Sequence, residues 1–525
     1  MESCYKWPLE DSCDRGPLPW FGGDARERPA TDAAAEAFDS LKGALHDAQR
    51  WGLSAEAIGT LGERLYEFWQ RFHGCFKTST RDTSGRAYTY LRGQLTMDGE
   101  RHFANMARNM TGDDGQALQH FMSNSPWSGP GVFRQIQAEI TATPALAQGS
   151  TLILDESADE KAGTHNAGAS RQYNGRIGKV DVCRVDTCLT YANATVRLWT
   201  MVDGELFVPE EWFGPAFAQR RKELGIPEER TFATKIALGL KMVKRAKAQG
   251  LPFELLACDA LYGRDSQFRA DLDMEGVWYA AQVPADTPVY LSEPQVGVPQ
   301  KRSTRGRPRT RLQGLSPQPP QEVRTLAGSP STPWQHMPVR QTERGRLAAD
   351  FAIRQVWTVA AGKRPRAEWL VIRRDTEGDC SYTLLNAPTD TPAPYLIAGS
   401  CQRYFTERTF EDAKTEMGWD EFQAQKYRAW EHHVALTGWA LWFVAQTKLA
   451  WAQTYERDPD LARQLAVEVL PALSTANVRE LLKAVLPVPQ LTPQQATELV
   501  ITHLVHRARS TSSRLRCQVK PHDSS

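Results

Sequence analysis

TLILDESADEKAGTH, from Thr151 to His165, is the stretch on which the reading of the chain turns. The run Leu152, Ile153, Leu154 has the length and character of a buried strand, and it stops on two adjacent acids, Asp155 and Glu156. A carboxylate in that place is either a turn-former facing water, the commoner use of Asp, or a charge positioned to hold something. The segments downstream bear on the choice. KVDVCRVDTCLTYA from Lys179 and ATVRLWTMVDG from Ala194 are β-rich runs divided by Gly, Asn and Lys turns, so TLILD opens a meander of three antiparallel strands.

Working outward, FATKIALGLKMVKRAKAQG carries Ile236, Leu240 and Val243 on one helical face and ends in Gly250, a stop signal. FELLACDALYG then supplies a strand, QFRADLDMEG a helix and VWYAAQV another strand. The order β-β-β-α-β-α-β predicts an α/β fold with a mixed sheet covered by helices, the ordering of RNase H-like nucleases. Upstream, AAAEAFDSLKGALHDAQRW and AIGTLGERLYEFWQRF have three- and four-residue apolar spacing and predict a helical N-terminal domain over 1–147. The core would begin over 148–284. An insertion over 285–395 combines a Pro-, Ser- and Arg-rich loop with the β-like runs QVWTVAA, EWLVIRR and YTLLNA. Core helices would return over 396–450, among them RYFTERTFEDAKTEMG and a very apolar helix from about Tyr427, before a helical tail over 451–525.

Composition narrows the function classes. At 525 residues the chain exceeds a single core, and 41% hydrophobic with 24% charged residues is ordinary for a globular protein. A net charge of +1 gives no overall attraction to a polyanion, so any nucleic-acid role rests on local basic patches. The nine cysteines form no CxxC pair, which suggests neither a disulfide framework nor a zinc knuckle, and fits a reducing cytoplasm. WALWFVA from Trp439 is too short to cross a bilayer, so no membrane role is expected.

Two of the predicted strands end in an acid, Asp155 after LIL and Asp259 after LLAC. In the inferred order these strands are neighbours, and like charges a few ångströms apart are costly unless a cation lies between them. In RYFTERTFEDAK, Arg403, Glu407 and Lys414 are four and seven residues apart, which places them on one helical face: a carboxylate flanked by two cations able to hold phosphates.

These strings, TLILDES with GRIGKVD, then LLACDALYG, then RYFTERTFEDAK, resemble the DDE transposases of bacterial insertion sequences, in the group marked by a Y-R-E-K motif. Within that group, DESADEKAGTHNAGASRQYNGRIGKVD is most similar to the insertion-sequence family numbered seven hundred and one. The resemblance runs from about Arg92 to Val444 and takes in LQHFMSNSPW and LLNAP. It implies that Asp155, Asp259 and Glu407 are catalytic ligands of two Mg²⁺ ions, with Mn²⁺ able to substitute. It also implies cleavage of DNA at element ends, strand transfer to target DNA, an oligomeric synaptic complex and a location at the bacterial nucleoid. The pattern departs at Ser400, where the motif has its Tyr three residues before Arg403.

Each signal has a plainer reading. Asp259 is often an N-cap, Glu411 rivals Glu407 on the same helix, and Arg403 and Lys414 suit surface ion pairs. KRSTRGRPRTR, with Lys301, Arg302, Arg305 and Arg307 among its six basic residues and no acid, suits the DNA backbone or a solvated loop. Arg171 and Lys179, beside the first acid in sequence, are DNA contacts or members of a polar hairpin. His432 and His433 read as core histidines. A DNA-binding protein of transposase ancestry that no longer cuts is the alternative to an active enzyme.

Overall fold

The computed structural model describes residues 45–486 except 112–114, 162, 164, 176, 299–312, 316, 343, 344 and 361, together with positions 497, 500, 501, 504 and 505. Its centre is a ten-stranded mixed sheet. β1 (Ser150–Glu160) pairs antiparallel with β3 (Lys179–Asn193), and β3 carries both the short β2 (Ser170–Asn174) and β4 (Leu198–Phe207) on its other edge. On its second side β1 pairs parallel with β5 (Leu255–Cys258), which pairs parallel with β6 (Tyr279–Val283). The order β4-β3-β1-β5-β6, with β3 alone reversed, is the RNase H-like arrangement expected from the sequence.

The β-like runs before Arg403 extend this sheet. β7 (Gln335–Thr342), β8 (Gly345–Val359), β9 (Pro365–Arg374) and β10 (Cys380–Leu385) form an antiparallel meander, and β10 pairs with β6. The strand β7 has no counterpart among the predicted elements. Its alternation is weak, and only pairing with β8 organises it.

Helices close both faces. α1 (Leu61–Phe72), α2 (Ser84–Thr96), α3 (Phe103–Met110), α4 (Gln116–Ser123) and α5 (Gly129–Thr141) precede β1. α6 (Lys235–Ala248) starts at Thr234, whose hydroxyl accepts the Ala237 N–H, and its chain turns at Gly250 with φ +74°. α7 (Ser266–Met274) leads into β6. After the meander come α8 (Ala393–Ser400), α9 (Tyr404–Glu411), α10 (Tyr427–Thr454) and α11 (Thr475–Val485).

The apolar α10 is buried almost all round, against β4 on one side and the N-terminal helices on the other. Trp439 stacks on Phe68 of α1 with ring centroids 5.5 Å apart and meets Phe72 and Phe76, so the helices before β1 share one apolar core with the sheet. His432 has its ring nitrogens 2.8 Å from the carbonyls of Met122 and Trp127, to one of which the neutral ring donates, and His433 lies between the Tyr90 hydroxyl and the Trp419 carbonyl. Both are buried core histidines. No helix among the described residues is long and apolar enough to cross a membrane.

Candidate active site

The register places the first two acids. Thr151 to Leu154 of β1 lie beside Leu255 to Cys258 of β5, so Asp155 and Asp259 are the next residues on adjacent parallel strands, with backbones about 5 Å apart. The two strands continue differently. β5 ends at Cys258, and Asp259 caps the turn Ala260–Gly263 by accepting the N–H groups of Leu261 and Tyr262. β1 does not stop at Asp155, as the acid pair suggested, because β3 is long enough to pair with it as far as Glu160. Only the pairing with β5 ends at Leu154.

Strand alternation separates the neighbouring acids. Ile153 and Ala257 pack against Phe405 of α9, and Asp155 and Asp259, two residues on, share that face. Leu154 and Glu156 face α6. There Gly239 admits Leu154 at a distance no Cβ would allow, and Glu156 takes Lys235 at 2.6 Å and the Tyr262 hydroxyl at 3.3 Å. Burial first, and then the charges of Asp259 and Asp155, raise the Glu156 carboxyl to about 7 against the pull of Lys235.

Arg403, the residue before α9, joins the helix to the strand acids. It donates to Asp155 Oδ2 at 2.9 Å and to Gln282 Oε1 at 2.7 Å. Burial alone would lower its pKa, but the charges of Asp155, then Asp259, then Glu407 outweigh it and raise it. Asp259 is pushed up to about 6, first by burial and then by Asp155, while Arg403 and its two capped N–H groups oppose the rise. Glu407 lies in the first turn of α9. It is exposed as a residue, yet its carboxyl is partly desolvated, and desolvation followed by the Asp155 charge hold it above its ordinary value against Arg403 and Arg340. Its rival Glu411 pairs with Arg408 on the helix surface.

The remaining predicted residues are placed elsewhere. α9 gives way at Asp412–Glu416 to a π-helical turn, wider than the helix that the spacing assumed, so seven residues from Glu407 no longer return to the same line. Lys414 lies in that turn, 5.8 Å from the Trp419 ring centroid. Arg171 and Lys179 are exposed on the β2–β3 hairpin. Cys188 is the β3 partner of Asp155, and Lys179 lies nine residues before it, roughly 30 Å along the strand. Nearness in sequence to Asp155 is thus not nearness in space, because β1 and β3 both run on past the site. Lys301, Arg302, Arg305 and Arg307 lie outside the described residues. Ser400 bonds back to the Ile397 carbonyl at 2.7 Å. Gln282, Arg340 and Arg373 escape sequence reading, since nothing in their local pattern says which strand edge meets α9.

Asp155, Asp259 and Glu407 offer only carboxylate oxygens, a donor set that suits a hard divalent cation. Burial, and after it the Asp155 charge, lift Asp259, and such a cation would relieve both. Among the described residues no three His, Cys, Asp or Glu side chains converge closely enough to hold a metal, and Arg403 supplies the counter-charge.

Comparison with known proteins bears on the same residues. A probable transposase for insertion sequence element IS701 from Microchaete diplosiphon is 26% identical over 187 residues, 35% of this chain. The chain spans 44% of that relative's length. A piggyBac transposase, solved by cryo-EM as a synaptic complex with hairpin DNA, aligns over 84% of each chain at 11% identity with a TM-score of 0.32, too slight a likeness to argue from. The family model of DDE superfamily endonucleases matches residues 71–346, which includes Asp155 and Asp259 but ends before Arg403 and Glu407. With just over half of its length matched, this chain belongs to the DDE superfamily of endonucleases.

Proposed function

We propose that the protein is a DNA transposase that cuts strands at the ends of an insertion sequence and joins them to target DNA, with Asp155, Asp259 and Glu407 as metal ligands. The observation that carries the reading is the adjacency of Asp155 and Asp259 on parallel strands, beside Arg403 at the start of α9 and Glu407 in its first turn. Divalent Mg²⁺, or Mn²⁺ in its stead, would supply acidification of a water or 3′-hydroxyl nucleophile and neutralisation of the leaving oxygen. The chain's own part is positional. Asp155 is fixed by the ladder on both its neighbours, Asp259 by the two N–H groups it caps, and Glu407 by Phe405 wedged on Ile153 and Ala257. Arg403 holds Asp155 in place and, beside the carboxylates, suits a phosphate oxygen. The same pocket would serve both steps if the freed 3′-hydroxyl stays in it, which calls for a second copy of the chain to hold the other element end.

That no three metal-binding side chains converge among the described residues favours a second reading, a DNA-binding protein of this ancestry that does not cut. One assay separates the two. Labelled DNA bearing the native element ends is incubated with Mg²⁺ or EDTA and with wild type, Asp155→Ala, Asp259→Ala, Glu407→Ala or Glu411→Ala. Metal-dependent nicking and joining lost in the first three variants and kept in Glu411→Ala supports the transposase. Loss in Glu411→Ala with activity kept in Glu407→Ala moves the third ligand. Binding of the ends without any cleavage leaves the second reading.

A further inference from the structure

The sheet extension ends against α9, and it brings arginine there. Arg340 of β7 lies with its guanidinium 3.5 Å from the centroid of the Tyr404 ring, one residue from Arg403. This placement depends on a β-bulge: Pro338 pairs with Ala348 and Arg340 with Leu347, which leaves Val339 as an extra residue. Val339 and Met337 already pack towards α8, in the cluster that includes Phe351, Val371, Leu396 and Ile397. In a regular strand Arg340 would alternate to the opposite face, and the bulge turns it to the same side. Arg373 of β9 is the cross-strand partner of Phe351 in that cluster. Both arginines act on the Cys401 thiol, and both Arg373 and Glu407 act on Arg340.

The cluster is unbalanced in charge. Neither Arg340 nor Arg373 forms an ion pair among the described residues, and the Arg373 Nε is buried without a hydrogen-bond partner. Arg403, which also has a buried and unpartnered Nε, is engaged with Asp155. Among the described residues, the acid that acts on Arg340 is Glu407. A guanidinium stacked on an aromatic ring keeps its in-plane N–H edge free, and that edge matches two oxygens of a phosphodiester.

We infer that Arg340 and Arg373 form an anion cradle beside the carboxylates, which takes a backbone phosphate of the DNA strand next to the one being cut. The inference rests on the transposase reading, and it gives the sheet extension a function, that of bringing two cations to a site built from the other half of the sheet. The contact is to the backbone, so it positions the strand without reading its sequence.

The test is the salt dependence of binding to a labelled plain duplex in EDTA, where no strand is cut. Each phosphate contact contributes about 0.9 to the slope of log affinity against log salt. The double variant Arg340→Gln/Arg373→Gln is expected to lower that slope by about 1, and Arg346→Gln, on the exposed start of β8, to leave it unchanged. Arg340→Lys keeps the charge, so it should keep the slope while weakening binding, and it serves if the double variant fails to fold. A slope equal in wild type and in the folded Gln variants overturns the cradle and leaves the transposase reading intact. Absence of any salt-dependent DNA binding by wild type overturns both.

Discussion

Asp259→Asn should make the protein more stable when no divalent metal is bound. The Asp259 carboxyl titrates at about 6 in the fold against 3.8 for an unperturbed Asp. An acid with a raised folded pKa costs the fold nothing below its unfolded value, and the full difference once pH exceeds the folded one. At 1.36 kcal/mol per unit this is about 3 kcal/mol near pH 8, and about half of that remains at pH 5. Asn removes the charge and keeps the cap, because its side-chain oxygen accepts the Leu261 and Tyr262 N–H groups as well as Asp does. With an unfolding entropy of about 2.1 cal/mol/K per residue, the gain is a rise in Tm of about 3 °C at pH 8. The assay is calorimetry in EDTA at pH 8 and pH 5, beside Asp155→Asn. That second variant removes the charge that Arg403 pairs with at 2.9 Å, and should lower stability by on the order of 2 kcal/mol. Opposite signs for two adjacent carboxylates are the signature of one paired acid and one repelled acid. If Asp259→Asn melts below wild type in EDTA, or its gain is the same at both pH values, the electrostatic account of the site is wrong.

Three further outcomes follow from the same geometry. The stabilisation produced by saturating Mg²⁺ should grow from pH 5 to pH 8, since Asp259 has to lose a proton at about 6 before it can ligate; a flat profile of the Mg²⁺-induced Tm shift would count against Asp259 as a ligand. Gly263→Ala should cost several kcal/mol in urea titrations, on the order of 3 or more, because a Cβ there runs into the Gln282 carbonyl and pushes the Asp259 turn off β6; wild-type stability in that variant would refute the close approach. Burial lowers His433 to about 3 and His432 to about 4, so the stability they contribute is whole above 6.5 and falls as pH drops from there, by about 1.4 kcal/mol per pH unit for each. His433→Gln should reduce that slope by about half, and an unchanged slope would mean that other groups take up the protons.

The legible part of the fold was the part governed by local periodicity. TLILD, KVDVCRVDTCLTYA, ATVRLWTMVDG, LLAC and YAAQV alternate or run apolar, and the right-handed connections of an α/β sheet leave few ways to order them, so β4-β3-β1-β5-β6 could be written down from the chain. The sheet's further growth was not legible. QVWTVAA, EWLVIRR and YTLLNA read as strands, but whether they close on themselves or join β6 depends on one long-range pairing, Tyr382 to Leu385 with Val283 to Ala280, that leaves no trace in either segment. β7 was missed outright, because a strand with Pro338 inside it and a bulge at Val339 lacks the two-residue period that sequence reading detects.

The same division runs through the site. Asp155 and Asp259 stood out because each follows an apolar run, and the register between those runs is short-range geometry once the strand order is known. Spacing also gathered Arg403 and Glu407, one α-helical turn apart. It failed for Lys414, because a π turn at Asp412 has no composition cue; Asp412 is fixed there by Trp199 and Thr475, residues more than sixty positions away. It failed again for Arg171 and Lys179, where closeness in sequence stood in for closeness in space along two strands that overrun the site. Arg340 marks the limit most clearly. It lies 185 residues after Asp155, on an unread strand and turned by an unread bulge, yet it faces Glu407. Asp155 and Asp259 follow regular apolar strands, so periodicity finds them. Arg340 is placed by a bulge, an irregularity that periodicity cannot register.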